Sequence, residues 1–365
     1  MSDQAAPLAA SRRDLILDVL ARAGAVRVSQ LVTEFGVAAV TLRRDLQQLE
    51  EEGLLIRVHG GAVPPPGGVA ARRPSTDPAA STTVGVLVPS LDFYWPQVVR
   101  SIEQEGRGRG VAMLLRGTSY DLQDERPVLE RMVENEGVSG LVVVPNTDTE
   151  YAQDVVDWLA GSGVPFVLAE RDAVRRPDGT PVESVTTDHA LGALLAARHL
   201  AQLGHRKVGL LISRTSPTSR KIIAGWTAAC RELGLTPAEH VERILPDRAS
   251  PGFSRGIDDM LDAVLKAGVT ALLVHSDREA MAIVDLALSR GLTVPGDLSV
   301  VAYDDEFAEL STPALTGVAP PRAALGRAAL DLLLSRMADP SRPVHRLTLS
   351  PALNVRASTG APAGR

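Results

Sequence analysis

Two different hydrophobic rhythms divide the chain. From Thr83 onward, short unbroken apolar runs recur at 84–88, 111–115, 140–144, 165–169, 207–212, 271–274 and 298–302. Amphipathic stretches lie between and after them, at about 96–108, 122–135, 150–161, 190–203, 218–233, 254–267, 278–290 and 322–337. Continuous apolar strands alternating with helices predict an α/β fold whose parallel sheet is covered on both faces. The segment is too long for one such sheet and predicts two lobes.

Before residue 63 the period is helical. Ser11 is placed to cap a helix carrying Leu15, Ile16, Val19 and Leu20 on one face, and Gly24 ends it. Residues 28–36 form a second helix with Leu31, Val32 and Phe35 inward. In a third, Ala38 to Leu49, Leu42, Leu46 and Leu49 make one apolar stripe. Thr41, Arg44 and Gln48 fall on another face, with Arg43 and Gln47 beside it. A short helix with hydroxyl, guanidinium and amide groups opposite its core stripe suits the major groove of DNA. Taken alone, it suits an ordinary surface helix equally well. The strand and Gly-Gly turn that follow complete a winged helix-turn-helix, with Arg57 and His59 on the wing, where cations meet phosphates.

Residues 12–62 resemble the DNA-binding domain of the DeoR-type repressors. The matching positions are Arg12, Ile16, Leu20, Ala38, Thr41, Leu42, Arg43, Arg44, Asp45 and Leu46, then the stretch from Gly53 to Ala62. The chain departs at Ala38, where the family carries Ser; losing such a helix cap costs about 0.5–2 kcal/mol. Residues 63–82 are rich in Pro, Gly, Ala and Ser and read as a linker. The remainder, 83–360, resembles the sugar-sensing core of the lactose- and galactose-repressor family. The match runs through 186–211, 224–235, 295–334 and 349–359. The resemblance implies the fold of type I periplasmic binding proteins, with lobe 1 at about 83–187 and 318–342 and lobe 2 at about 188–317 and 343–360. Crossovers fall near 187, 317 and 342, and the ligand sits at the carboxyl ends of the strands.

Charge cuts against a DNA partner. The 365 residues carry a net charge of -6, and residues 1–63 hold seven arginines, no lysine and eight acids. Any DNA contact must come from a local patch. A single cysteine, Cys230, excludes an internal disulfide. The start of the chain lacks a signal-peptide pattern, and no apolar run is long enough to span a bilayer, so a cytoplasmic protein without a membrane partner is expected.

A sugar site needs planar polar side chains for hydroxyl pairs and aromatic rings for the flat apolar face. The loops after the strands supply candidates: Tyr94, with Asp92, Phe93 and Trp95 around it; Glu170 and Arg171; Ser276 and Asp277; and Asp304, followed by Asp305. Phe93 and Trp95 also suit a lobe core, and Trp226 and Tyr303 are further aromatic candidates. The resemblance makes Asp304 the acid that bonds a sugar hydroxyl. Asp277 more often caps the next helix, and that structural reading stands ahead of a ligand role. Three residues before Gly225 the family carries an Arg that grips ligand hydroxyls, and here the position is Ile222. Either Arg220 substitutes, or the ligand lacks the group that Arg meets.

No nucleophile elbow, Walker loop or metal-ligand spacing is present in the sequence, so neither an enzyme nor a cofactor is expected. The sequence predicts a DNA-binding repressor of carbohydrate genes. It would bind an operator as a homodimer and answer to a sugar or related molecule between its lobes. A transporter-associated sugar-binding protein is the alternative. A proline-rich linker stands where the sugar-sensing family has a hinge helix, so control by the spacing of two reading helices is expected.

Overall fold

The computed structural model describes residues 16, 19–20, 26–35, 37, 39–51, 55–58, 61–63, 82–92, 94–120, 122, 124–147, 149–213, 216–245 and 252–363. The chain forms two compact units, Met1–Asp77 and Pro78–Arg365. The expected linker lies almost wholly outside the described residues.

In the first unit, β1 (Val26–Arg27), α1 (Val28–Phe35), α2 (Ala39–Glu51), β2 (Ile56–Val58) and β3 (Gly61–Val63) follow one another. Residues 16, 19 and 20 upstream are helical. The stripe read from the sequence is the core: Leu42, Leu46 and Leu49 are 0 %, 1 % and 2 % exposed and pack with Ile16, Leu20, Leu31 and Leu55. β2 and β3 pair as the expected hairpin, and β1 adds a third antiparallel strand on the other side of β3. The sequence did not signal β1 because it is two residues long. Gly61 sits against it so closely that a Cβ there would lie 1.9 Å from the Val26 carbonyl oxygen.

The second unit holds two six-stranded sheets. Lobe 1 contains β4 (Thr82–Val88), α3 (Tyr94–Gly108), β5 (Val111–Gly117), α4 (Arg126–Glu130) with a π-helical turn to Asn135, β6 (Gly140–Val143), α5 (Ala152–Gly161), β7 (Phe166–Ala169) and β8 (Ser184–Thr187). The chain then enters lobe 2 through α6 (His189–Gln202), β9 (Lys207–Ser213), α7 (Ser219–Leu233), β10 (Thr236–Leu245), α8 (Phe253–Lys266), β11 (Ala271–His275), α9 (Asp277–Ser289), β12 (Ser299–Tyr303) and β13 (Thr316–Ala319). It returns to lobe 1 as α10 (Arg322–Ala338) and β14 (Arg346–Leu349) and ends in lobe 2 with β15 (Ala352–Asn354). The sheet orders are β14-β8-β7-β6-β4-β5 and β10-β9-β11-β12-β13-β15. Every pairing is parallel except β13 with β15. Aliphatic clusters cover both faces of each sheet, which is why the central strands are apolar throughout.

The three crossovers fall at Asp188, at 320–321 and at 350–351. The sequence reading placed them near 187, 317 and 342. Residue 317 lies inside β13, paired with β12. The segment after 342 does not go to lobe 2 at once; it first adds β14 to the lobe 1 edge, in parallel with β8. Buried Glu183 fixes this course. Its carboxylate accepts from Arg336 on α10, from Arg342 and from the His345 backbone N–H at 3.3 Å.

Each lobe clamps a helix pair through one glycine. In lobe 2, a Cβ at Gly225 on α7 would lie 2.3 Å from the Ala190 carbonyl oxygen of α6. In lobe 1, a Cβ at Gly326 on α10 would lie 2.5 Å from the Val98 carbonyl oxygen of α3.

Candidate functional site

The carboxyl ends of both sheets and the three crossovers meet at one place, and the polar side chains gather there. Glu170 follows β7 with φ at 57°, a left-handed backbone that turns its carboxylate inward. The residue is 4 % exposed. Its Oε1 accepts from the Tyr94 hydroxyl and from Thr187 Oγ1 at 2.6 Å. Its Oε2 accepts from Thr187 N–H at 3.0 Å and meets His189 Nε2 at 3.3 Å. Burial alone would raise the Glu170 pKa, but His189 and Thr187 more than offset it and hold it at about 2. His189 opens α6 just past the first crossover, and its Nδ1 lies 3.0 Å from the Tyr303 hydroxyl at the end of β12. Half-buried Tyr94 and buried Glu170, His189 and Tyr303 therefore make one line from lobe 1 to lobe 2.

Asp304 comes next in the chain. Its φ of 101° is strained for a residue with a side chain. Among the described residues no side-chain hydrogen bond reaches its carboxylate, and His275 Nε2 lies 3.9 Å away. Burial lifts the Asp304 pKa to about 6, with Arg322 pulling the other way. Burial also lowers the His275 pKa to about 4, so at neutral pH its imidazole carries no charge. Arg322, in the first turn of α10 after the second crossover, is 8 % exposed. It donates to the carbonyls of Asp304 and Asp305 and, through Nε at 2.8 Å, to Gln97 Oε1. Its guanidinium carbon lies 5.7 Å from the Tyr94 ring centroid.

Of the residues proposed from sequence, Tyr94, Glu170 and Asp304 come together here. Arg171 is buried beside them, with Nε on the Pro145 carbonyl at 3.1 Å and Nη1 on the Glu170 carbonyl at 3.0 Å. Ser276 and Asp277 have structural work. Ser276 donates to Glu279 at 2.7 Å in the first turn of α9. Both Asp277 oxygens accept backbone N–H groups, from Asp305 at 3.0 Å, Glu306 at 2.6 Å and Phe307 at 2.8 Å. Asp277 thus shapes the loop that presents Asp304, and the capping of α9 falls to its neighbour. Trp95 and Trp226 are core side chains, 3 % and 0 % exposed. Ile222 is wholly buried in the same lobe 2 cluster as Trp226, and Arg220 is exposed on the first turn of α7. Phe93 lies outside the described residues.

Sequence reasoning missed His189, His275 and Arg322. Their only signal was position: each stands at the end of a strand or the start of a helix beside a crossover. On the hinge side, Lys221 of lobe 2 reaches Asp172 of lobe 1 at 2.8 Å, and Arg346 reaches the same carboxylate at 2.8 Å. A cavity of about 560 Å³ opens there, bounded by these three residues with Thr187, His189 and Thr348.

In the first unit, Arg44, Gln47 and Gln48 are exposed on α2 and Thr41 is half-buried. The side chains of Arg43 and Arg57, and all of Ala38 and His59, lie outside the described residues. Among the described residues no cluster of metal-ligating side chains occurs, and no helix is long and apolar enough to cross a membrane.

Comparison with known proteins agrees with this two-part layout. Residues 12–65 match the DeoR-like helix-turn-helix domain, and residues 197–359 match the periplasmic binding protein-like domain. An HTH-type transcriptional regulator from the aml 5' region of Streptomyces limosus is 31% identical, over 76% of this chain and 78% of that protein. The chain belongs to the same family of HTH-type transcriptional regulators. Within that family it joins a DeoR-like helix-turn-helix domain to a periplasmic binding protein-like domain. The arabinose metabolism transcriptional repressor of Geobacillus stearothermophilus is 25% identical over 90% of both chains. The transcription regulator GntR from Chromobacterium violaceum shares the core fold, with a TM-score of 0.64, 26% identity, and coverage of 76% of this chain and 99% of that one.

Proposed function

We propose that a sugar or sugar-like molecule binds between the lobes at Asp304 and Tyr94 and changes the affinity of this repressor for an operator near carbohydrate genes. The carrying observation is the Asp304 carboxylate, held in a strained backbone at the interlobe face with no hydrogen-bond donor of its own. A half-buried carboxylate without a protein donor is open to a hydroxyl donor from a ligand. The arabinose repressor, similar along 90% of its length, supports a sugar over other small molecules. The DeoR-type head reads DNA through Thr41, Arg43, Arg44 and Gln48 on α2, with Arg57 and His59 on the wing. Two copies would set two α2 helices on half-sites.

The head is tested by gel retardation of the protein's own upstream DNA at low salt, where phosphate contacts are strongest. Arg44→Ala is expected to weaken the specific complex by about 1–3 kcal/mol and to relax base preference at its contact. Retardation unchanged by this substitution would remove Arg44 from the reading face.

A further inference from the structure

We propose that the cleft accepts an uncharged, hydroxyl-rich effector and rejects the phosphate ester or acid of the same sugar. The inference rests on the cleft being the effector site. It follows from where the charges of that site are already committed.

An anionic ligand needs a cation or several free N–H donors to replace the water it leaves. The guanidiniums described at this cleft are turned to protein oxygens. Arg171 serves the carbonyls of Pro145 and Glu170, and Arg322 serves those of Asp304 and Asp305 together with Gln97. Lys221 is held by Asp172 at the hinge side. Ile222, at the start of α7, is packed in the lobe 2 core and offers no cation.

Acceptors, by contrast, are left over. Among the described residues no donor reaches the Asp304 carboxylate, and the imidazole 3.9 Å from it is uncharged at neutral pH. Hydroxyl groups donate to such oxygens. A phosphate or carboxylate meets them as a like charge in a poorly screened place.

The test is calorimetric titration of the full-length protein at neutral pH and constant ionic strength with arabinose, glucose and maltose, each beside its phosphate ester. At least one neutral sugar is expected to bind, with its ester weaker by about a hundredfold or more. Asp304→Asn, checked for an unchanged melting temperature, is expected to weaken the neutral sugar and to shrink the gap to less than about tenfold. An ester that binds as tightly as its parent overturns the charge rule and leaves the effector reading standing. Silence from every compound overturns the sugar-effector reading and this inference with it.

Discussion

Glu170→Gln is expected to lower the stability of the core unit by about 3 kcal/mol at neutral pH. The wild-type carboxylate takes four contacts from Tyr94, Thr187 and His189, and its pKa falls from 4.5 to about 2. The sign follows from linkage. A folded pKa below the unfolded one contributes stability that is fully present above the unfolded value. That contribution disappears as pH falls through the folded value. The variant cannot ionise there, so it should lose this part of the acid dependence as well. Urea unfolding at neutral pH, with melting curves from pH 5 downward, reads both effects. A loss below about 1 kcal/mol, or an unchanged acid slope, would show that the line from Tyr94 to Tyr303 is weakly held.

Gly225→Ala is the second large effect. Alanine is about 1 kcal/mol better than glycine inside a helix, so propensity alone predicts a gain. The contact geometry decides otherwise. The new Cβ would stand 2.3 Å from the oxygen and 2.5 Å from the Cα of Ala190, both backbone atoms of α6 that cannot swing aside. α6 and α7 must part, and we expect a net loss of about 3 kcal/mol. Gly161→Ala, where nothing lies within 4 Å, is the control and should be neutral or slightly stabilising. Equal melting temperatures for the two variants would contradict the close packing of this helix pair.

The legibility of the chain follows physical lines. Central strands such as Leu141–Val143 and Leu272–Val274 are buried on both faces, so their apolar runs were plain in the sequence. Edge and late strands were not. Ser184–Thr187 is polar though buried, and Arg346–Leu349 is short and mostly exposed, so neither carries a hydrophobic rhythm. Missing the second of these misplaced the last crossover. In the reading head, the stripe of Leu42, Leu46 and Leu49 was enough because one helix face decides it. The cleft was half legible. Tyr94, Glu170 and Asp304 stand after strands, where open sheets present ligand groups. His189, His275 and Arg322 gain their meaning from partners far along the chain: His189 meets Tyr303 across 114 residues, and Arg322 meets Gln97 across 225. No local pattern encodes such pairs. Asp277 shows the converse: it looked like a helix cap or a ligand group, and it holds the loop of Asp304 instead.

A coupling free energy between the cleft and the reading head must be reciprocal. The direct measurement is operator affinity, by fluorescence anisotropy at fixed salt, with and without the sugar identified by calorimetry. In parallel, affinity for that sugar is measured with and without operator DNA. The expected result is a change of about 5- to 150-fold in operator affinity, matched by the same factor in sugar affinity. Tight binding of both ligands with neither affecting the other would contradict control of this repressor through the Asp304 cleft.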